Sequence, residues 1–488
     1  MDDPRITILG GGTAGWMAAC LFAEALPRAR ITLIESPAIP IVGVGEGSTP
    51  QLAALFRRLG IADADWMDRA HATYKTGIAF EGWSGPDSRY FHPFASAVDL
   101  HTEPGFHAQA RARRSGIDVD AHPDRFFLNA RLAAERRAPI APPHFPFEAS
   151  YGYHFDAHLV GAVLREEATR RGVVHCSATM REGILADDGT IAHLQLDDDS
   201  RIEADLFVDA SGFAGVLAQQ ALGVPFLPFG DTLFNDRAVV LPTPVAAEGP
   251  APFTTATALS AGWAWAIPLT HRTGNGYVYA SRYLSDDAAE AELRRHLGVG
   301  DAVPARHLRM KVGRVATTWT GNCLAIGLAQ GFLEPLEATA LHLVQVTVEG
   351  FLGAWRDGGF GARHRDVFNA AIARRYDGIR DYLVAHYRMN RRTDSGYWRD
   401  NAANDRLSDS LKALMTCWFT GGDLVAEVER QDIARYYAPL SWGCLFAGYD
   451  TWPRRLRAGA DVADLARIDD ILARSAANFP LHGRHAEA

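Results

Sequence analysis

A glycine-rich turn set between a β-branched run and a helical stretch constrains this chain more than any other feature. Arg5-Ile6-Thr7-Ile8-Leu9 predicts a strand, Gly10-Gly11-Gly12-Thr13-Ala14-Gly15 a turn, and Trp16-Met17-Ala18-Ala19-Cys20-Leu21 the body of a helix. Gly10 permits the tight turn, Gly12 lets backbone approach a pyrophosphate, and Gly15 allows the helix to pack on the strand. The first helical residues, Thr13 and Ala14, present N–H groups and the positive end of the helix dipole to phosphate. A second predicted strand, Arg30-Ile31-Thr32-Leu33-Ile34, ends at Glu35, where a carboxylate is placed to accept a hydrogen bond from a ribose hydroxyl. A glycine turn alone can bind nothing, but strand, turn, helix and acidic strand end in this order point to a dinucleotide.

The rest of the chain decides which dinucleotide. Instead of further contiguous strand–helix units, the chain returns late to the first sheet. Arg171-Gly172-Val173-Val174-His175 runs from helix to strand, and Ala204-Asp205-Leu206-Phe207-Val208-Asp209-Ala210-Ser211-Gly212 is an apolar strand closing on Asp209 and Gly212. Read alone, the second is equally an ordinary core strand; after a GxGxxG unit it suits a flavin ribityl or phosphate and favours FAD over NAD. The expected fold is α/β, an FAD-binding GxGxxG flavoprotein of monooxygenase-like architecture with a mainly helical C-terminal region capping the substrate. Residues 1–369 form the flavin core, with discontinuous flavin and substrate sheets, and 370–488 the cap. A length of 488 residues accommodates both.

Composition removes other classes. The net charge of −9, without basic clusters, speaks against nucleic acid. The five scattered cysteines show neither a disulfide framework nor metal-ligand spacing, so no metal is expected and a reducing compartment fits. No apolar run reaches the length of a membrane span, and the acidic start Met1-Asp2-Asp3 is unlike a secretory signal. The reading is a soluble cytoplasmic protein acting on a small molecule, with no membrane partner; both a monomer and a homodimer fit it.

Of the 49 basic residues only Lys75, Lys311 and Lys412 are lysines. Lys75 lies in Thr73-Tyr74-Lys75-Thr76-Gly77-Ile78-Ala79-Phe80, an apolar strand where an ammonium is either a buried functional group or a surface charge on a snorkelling stem. His92, among Tyr90, Phe91 and Phe94, is a satisfied core histidine or a pocket residue. Trp263 and Trp265 fall on one face of the predicted strand Gly262-Trp263-Ala264-Trp265-Ala266-Ile267-Pro268, as plain core or as the wall of a cavity. The segment Asn322 to His342 reads as strand, glycine loop, proline turn and a helix starting near Glu337, whose amides suit a small anion. Glu337 itself can simply complement the helix dipole.

Taken together, Gly10-x-Gly12-x-x-Gly15, the strap-like Gly43-Val44-Gly45-Glu46, Lys75 in Tyr-Lys-Thr-Gly-Ile, Trp263-x-Trp265-x-Ile267-Pro268 and Phe332-Leu333-Glu334-Pro335-Leu336-Glu337-Ala338-Thr339 resemble the flavin-dependent tryptophan halogenase family. Tyr153-His154-Phe155-Asp156-Ala157 and Gly276-Tyr277-Val278-Tyr279 extend the match. The resemblance implies a two-component enzyme. A separate flavin reductase, met transiently, supplies reduced FAD, which with O2 oxidises halide to hypohalous acid. That acid travels through a tunnel to an electron-rich arene such as indole or tryptophan. It further implies Lys75 and Glu337 as the catalytic pair, Thr339 and Ala340 as halide contacts, and Trp263 and Trp265 as the barrier keeping arene from flavin. Glu46, Leu328 and Leu341 would be flavin contacts, Met180 an adenine neighbour, and His92 and Phe94 arene-pocket residues.

Two departures stand out. The family's usual Glu-Ser-Thr-Gly is here Glu337-Ala338-Thr339-Ala340, which puts halide choice in question and raises a preference for bromide over chloride. No lid that would clamp an amino-acid head group is assignable after Ala340. The rival readings are a single-component flavin monooxygenase hydroxylating an aromatic, a non-catalytic flavin-binding relic of the scaffold, and a flavin-dependent reductase. Gly327-Leu328 in place of the Gly-Asp expected in a late flavin loop counts against the first, and retention of Lys75 with Glu337 against the second.

Overall fold

The computed structural model describes residues 3–39, 46–453 and 461–482. The chain divides into two compact units, each assembled from three separate stretches. One comprises Met1–His71, Phe155–Gly230 and Lys311–Asp377, and the other Ala72–His154, Asp231–Met310 and Gly378–Ala488.

The first unit is built on a six-stranded sheet in the order Trp319–Thr320, Cys323–Ala325, Leu206–Asp209, Arg5–Leu9, Arg30–Glu35 and Val174–Ser177. All neighbours run parallel except Trp319–Thr320. Ile6, Ile8, Leu33, Ile34, Phe207 and Val208 are buried, which fits central parallel strands covered on both faces. The helix Thr13–Ala25 follows the first strand and packs on helices Ala157–Arg170 and Ala340–Asp357. Thr13 donates to the Ala157 carbonyl at 3.2 Å, and Phe22 meets Phe351 edge-on at 6.1 Å. Three strands that are remote in sequence thus converge on the glycine turn.

The second unit carries a seven-stranded sheet: Arg306–Arg309, Arg237–Thr243, Thr273–Tyr279, Gly262–Pro268, Thr254–Leu259, Gly77–Glu81 and Arg89–Pro93. Phe80 stacks on Tyr90 at 4.9 Å, and Trp83 lies among Tyr387, Trp398 and Tyr449. Trp398 is fully buried and its indole N–H donates to the Leu259 carbonyl at 2.7 Å, so this ring belongs to the core. Tyr437 stacks on Tyr382 at 3.6 Å, and Trp442 meets the same ring edge-on. No helix among the described residues is long and apolar enough to cross a membrane. All five cysteines are free thiols.

The strand Gly262–Pro268 pairs Trp265 with Gly276 across the ladder. A Cβ on Gly276 would lie 2.1 Å from the indole, so glycine there makes room for the ring. Gly276→Ala is expected to cost about 1–3 kcal/mol by overpacking. In a Trp265→Ala background that cost should vanish in a urea double-mutant cycle, whereas equal costs in both backgrounds would show that the ring does not set it.

Candidate active site

The glycine turn is closed in by backbone in two places and by a side chain in a third, and is left open in a fourth. Gly10 has φ +117°, and a Cβ on it would lie 2.2 Å from the Ala210 carbonyl oxygen. One on Gly11 would strike the Glu35 carboxyl carbon at 2.2 Å, and one on Gly15 the Gly10 oxygen at 1.9 Å. At Gly12 a Cβ would meet nothing within 4 Å. That open side adjoins the start of Thr13–Ala25, whose N-cap is Gly12 and whose first turn has neither side-chain cap nor acidic residue. Uncapped amides facing free space fit the pyrophosphate of an FAD. Glu35 ends its strand beside Gly11 and meets His175 Nε2 through Oε2 at 3.0 Å. Ser36 and Thr179 hydroxyls bond at 2.8 Å, which brings Met180 to the same end of the sheet.

The late returns close this cradle. The Ile326 amide donates to the Asp209 carbonyl at 2.9 Å. Gly327, at φ +58°, approaches so closely that its Cβ would lie 2.9 Å from that of Ala14. Leu328 follows in the 3-10 turn Gly327–Ala329, beside the helix start. Asp209 is spent on its own chain: its carboxylate accepts from the Ser211 amide and hydroxyl and from the Leu217 and Ala218 amides. Burial nevertheless raises its pKa. Its physical task is to shape the turn beneath Gly10. Glu46, half-buried at the start of the strand Glu46–Gly47, has its pKa pushed up to about 7 by burial and, less, by Asp156. Gly43, Val44 and Gly45 of the strap lie outside the described residues.

In the same unit the segment expected to open a helix near Glu337 behaves differently. Pro335–Glu337 forms a separate 3-10 turn, and the helix begins at Ala340. The interruption is Ala338, held in the left-handed region at φ +54°, where a Cβ is costly by about 1–2 kcal/mol. Backbone strain of this kind gathers at functional sites. Thr339 caps the helix Ala340–Asp357 without a side-chain hydrogen bond, and its first turn holds no acidic residue. Glu334 and Glu337 are both buried, as is Leu341, while Ala340 is exposed.

The second unit answers the question about Lys75. The lysine occupies the last position of the strand Thr73–Lys75 and is completely buried. Its ammonium stands 5.4 Å from the centre of the Phe94 ring, a cation–π distance. Thr76 then turns the chain into the large sheet: its amide donates to the Pro252 carbonyl at 2.7 Å, and its own carbonyl accepts from the Phe94 amide at 2.9 Å. Lys75 and Phe94 are therefore brought together by one crossover. His92, 7% exposed, meets Ser441 Oγ through Nε2 at 3.0 Å and is tilted over Tyr382, so its ring is both core and hydrogen-bonded. Trp263 and Trp265 are buried with rings 6.1 Å apart; the Trp265 indole N–H finds no hydrogen-bond partner among the described residues. The tryptophan strand touches the lysine strand at its end, where Thr73 Oγ1 donates to the Pro268 carbonyl at 2.7 Å.

Sequence reasoning missed His342, in the first turn of Ala340–Asp357. Its Nδ1 is buried without a hydrogen-bond partner among the described residues. Burial, and then the charge of Arg375, lower its pKa from 6.5 to about 4. Protonation consequently favours the unfolded chain: the contribution to stability is complete above 6.5 and is lost as pH falls toward 4. At pH 5 the loss is about 2 kcal/mol. His342→Gln should therefore lose about 2 °C less in Tm than the parent between pH 7 and pH 5, and identical shifts would contradict the assignment.

The glycine cradle with its late-returning strands is the arrangement of a dinucleotide-binding α/β protein. A tryptophan halogenase family model matches residues 5–464, and the chain belongs to that family. It is 37% identical over 481 residues to the 7-chloro-L-tryptophan 6-halogenase KtzR of Kutzneria sp., covering 91% of this chain and 90% of that protein. The crystal structure of the tryptophan 6-halogenase SttH from Streptomyces toxytricini superposes with a TM-score of 0.85 at 32% identity, covering 99% and 98% of the two chains. BrvH, a flavin-dependent halogenase from Brevundimonas sp. BAL3, gives 0.83 at 35% identity, covering 98% of this chain and 95% of that one. The α/β fold with helices in its C-terminal part is the fold of these enzymes, and the chain is a flavin-dependent halogenase.

Proposed function

We propose that this enzyme halogenates an electron-rich aromatic such as indole or tryptophan, with Lys75 handing over the halogen and Glu337 receiving the arene proton. The observation that carries this reading is the complete burial of one of only three lysines, its ammonium set over Phe94. When bound, reduced FAD, delivered by a separate reductase, would give two electrons to O2, which takes two more from halide, so that halide, O2 and a proton yield hypohalous acid and water. Gly12, Thr13 and Ala14 hold the pyrophosphate through backbone, Glu35 accepts from ribose, and Met180 borders the adenine. Glu46, Leu328 and Leu341 flank the flavin, while Asp209 holds the turn on which it rests.

Thr339 and Ala340 present amides to the halide. Trp263 and Trp265 keep the arene away from the flavin, so that only a small anion reacts there. The Lys75 ammonium donates a hydrogen bond to the oxygen of hypohalous acid, which draws electron density from the halogen. The arene carbon then takes the halogen as the O–X bond breaks, the oxygen leaves as water with the proton that the Lys75 ammonium passes to it, and Glu337 removes the proton from the cationic ring to restore aromaticity. His92 and Phe94 line the arene side, and the helices after residue 370 cover it. The enzyme works in the cytoplasm.

Ala338 and Ala340 support a preference for bromide. The first removes a hydroxyl from the halide segment, and the second adds a methyl group beside it. With chloride and bromide at equal concentration, FAD, NADH, a generic flavin reductase and indole or tryptophan, brominated product should exceed chlorinated product about tenfold, a difference of about 1.4 kcal/mol. Equal turnover of the two halides would overturn the preference, and absence of either product from a broad aromatic panel would overturn the activity.

A further inference from the structure

The lysine strand is only three residues long. An isolated strand of that length holds no side chain in place, so something must fix it. It pairs antiparallel with the strand Gly152–Phe155 in the register Thr73–His154, Tyr74–Tyr153 and Lys75–Gly152. Thr73, Lys75 and His154 therefore project from one face, with His154 the diagonal neighbour of Lys75 and no side chain directly opposite the amine.

His154 is fully buried and bonded at both ring nitrogens. Nδ1 lies 2.9 Å from Thr73 Oγ1, and Nε2 lies 2.9 Å from Thr254 Oγ1. The direction of these bonds follows by elimination. A carbonyl only accepts, so the Thr73 hydroxyl hydrogen goes to Pro268 O. Thr73 Oγ1 must then accept from His154, which places the proton on Nδ1. Burial, and next the charge of Lys75, hold the imidazole pKa well below 6.5, so the ring is neutral and Nε2 accepts from the Thr254 hydroxyl. One imidazole in one tautomer joins the lysine strand, the end of the tryptophan strand Gly262–Pro268 and the start of the strand Thr254–Leu259.

We propose that His154 is a positioning residue for Lys75, holding the amine's strand in register with the tryptophan strand through the chain Thr254–His154–Thr73–Pro268. The inference rests on the reading of Lys75 as the halogen-delivering amine. The network serves geometry and is not a proton path, because its terminal acceptor, a peptide carbonyl, passes no proton on.

The test measures halogenated product per reduced FAD oxidised, together with FAD affinity and Tm, for His154→Phe, His154→Asn, Thr73→Val and Thr73→Ser, each with and without Lys75→Ala. Phe and Val break the relay and should lower the yield about 10²-fold, the effect of a misplacement near 1 Å. Asn, whose amide can reproduce the Nδ1–H donor, and Ser, which keeps the hydroxyl, should recover most of it. In the Lys75→Ala background none of the four should lower the yield further, and FAD affinity should stay unchanged throughout. Losses that multiply with Lys75→Ala, or that track Tm without rescue by Asn or Ser, would overturn the positioning role. Should His154→Phe fail to fold, the isosteric Thr73→Val, compared with Thr73→Ser, decides the same question. Normal yield from Lys75→Ala alone would overturn the reading of Lys75 and this inference with it; loss there with normal yield from Thr73→Val would overturn this inference alone.

Discussion

Lys75→Ala is expected to lower the yield of halogenated product per reduced FAD by about 10³-fold, within the span that removal of one hydrogen-bonding catalytic group commonly costs. FAD affinity should stay within twofold, because the cofactor cradle is built from the glycine turn and the strands of the other unit. Lys75→Arg should fare almost as badly. A guanidinium keeps its charge but never becomes an amine, and its planar fork does not fit where a compact ammonium sits 5.4 Å from the Phe94 ring. Flavin oxidation rates in both variants should remain near that of the parent, so the loss would appear as uncoupling. A Lys75→Ala enzyme that halogenates at the normal yield would remove the amine from the chemistry.

The second large effect separates two glycines of one turn. Gly12→Val places its side chain in the space that the backbone leaves open, at a position with ordinary backbone angles of φ −70° and ψ 174°. The apo-protein should fold with an unchanged Tm and lose at least about 10²-fold in FAD affinity, since the pyrophosphate and a side chain would compete for one volume, and about 3 kcal/mol is a modest charge for that clash. Gly15→Ala puts a methyl group 1.9 Å from the Gly10 oxygen. Helix and strand must part, so this variant should lose about 2 kcal/mol or more of stability even without cofactor. Calorimetry of the apo-proteins beside flavin titration distinguishes the two. If Gly12→Val bound FAD as the parent does, the pyrophosphate would have to lie elsewhere.

Much of this was legible in the chain because the informative residues are local to each element. The turn Gly10–Gly15, the lysine in an apolar strand and the paired tryptophans each carry their chemistry within a few positions. What was not legible depends on distance along the chain or on a single dihedral angle. Nothing in Tyr153-His154-Phe155 reveals that Thr73, Thr254 and Pro268 will gather around that ring. A helix from Glu337 was the natural expectation for Glu-Ala-Thr-Ala-Leu, and only the left-handed Ala338 delays it to Ala340. The strand end marks Asp209 as a flavin-site residue, but not that its carboxylate takes four donors from the turn and helix that follow it. A histidine between aromatics in a buried strand is the signal that would have found His154, since its ring nitrogens must be satisfied somewhere.

The most direct test of the central claim is a single turnover. Enzyme loaded with one equivalent of reduced FAD is mixed with O2, bromide and indole or tryptophan, and the products are resolved by mass spectrometry. The account predicts a monobrominated arene, recognised by its bromine isotope doublet, from the parent enzyme and none from Lys75→Ala. Hydroxylated arene, or hydrogen peroxide alone from enzyme that binds flavin normally, would contradict it.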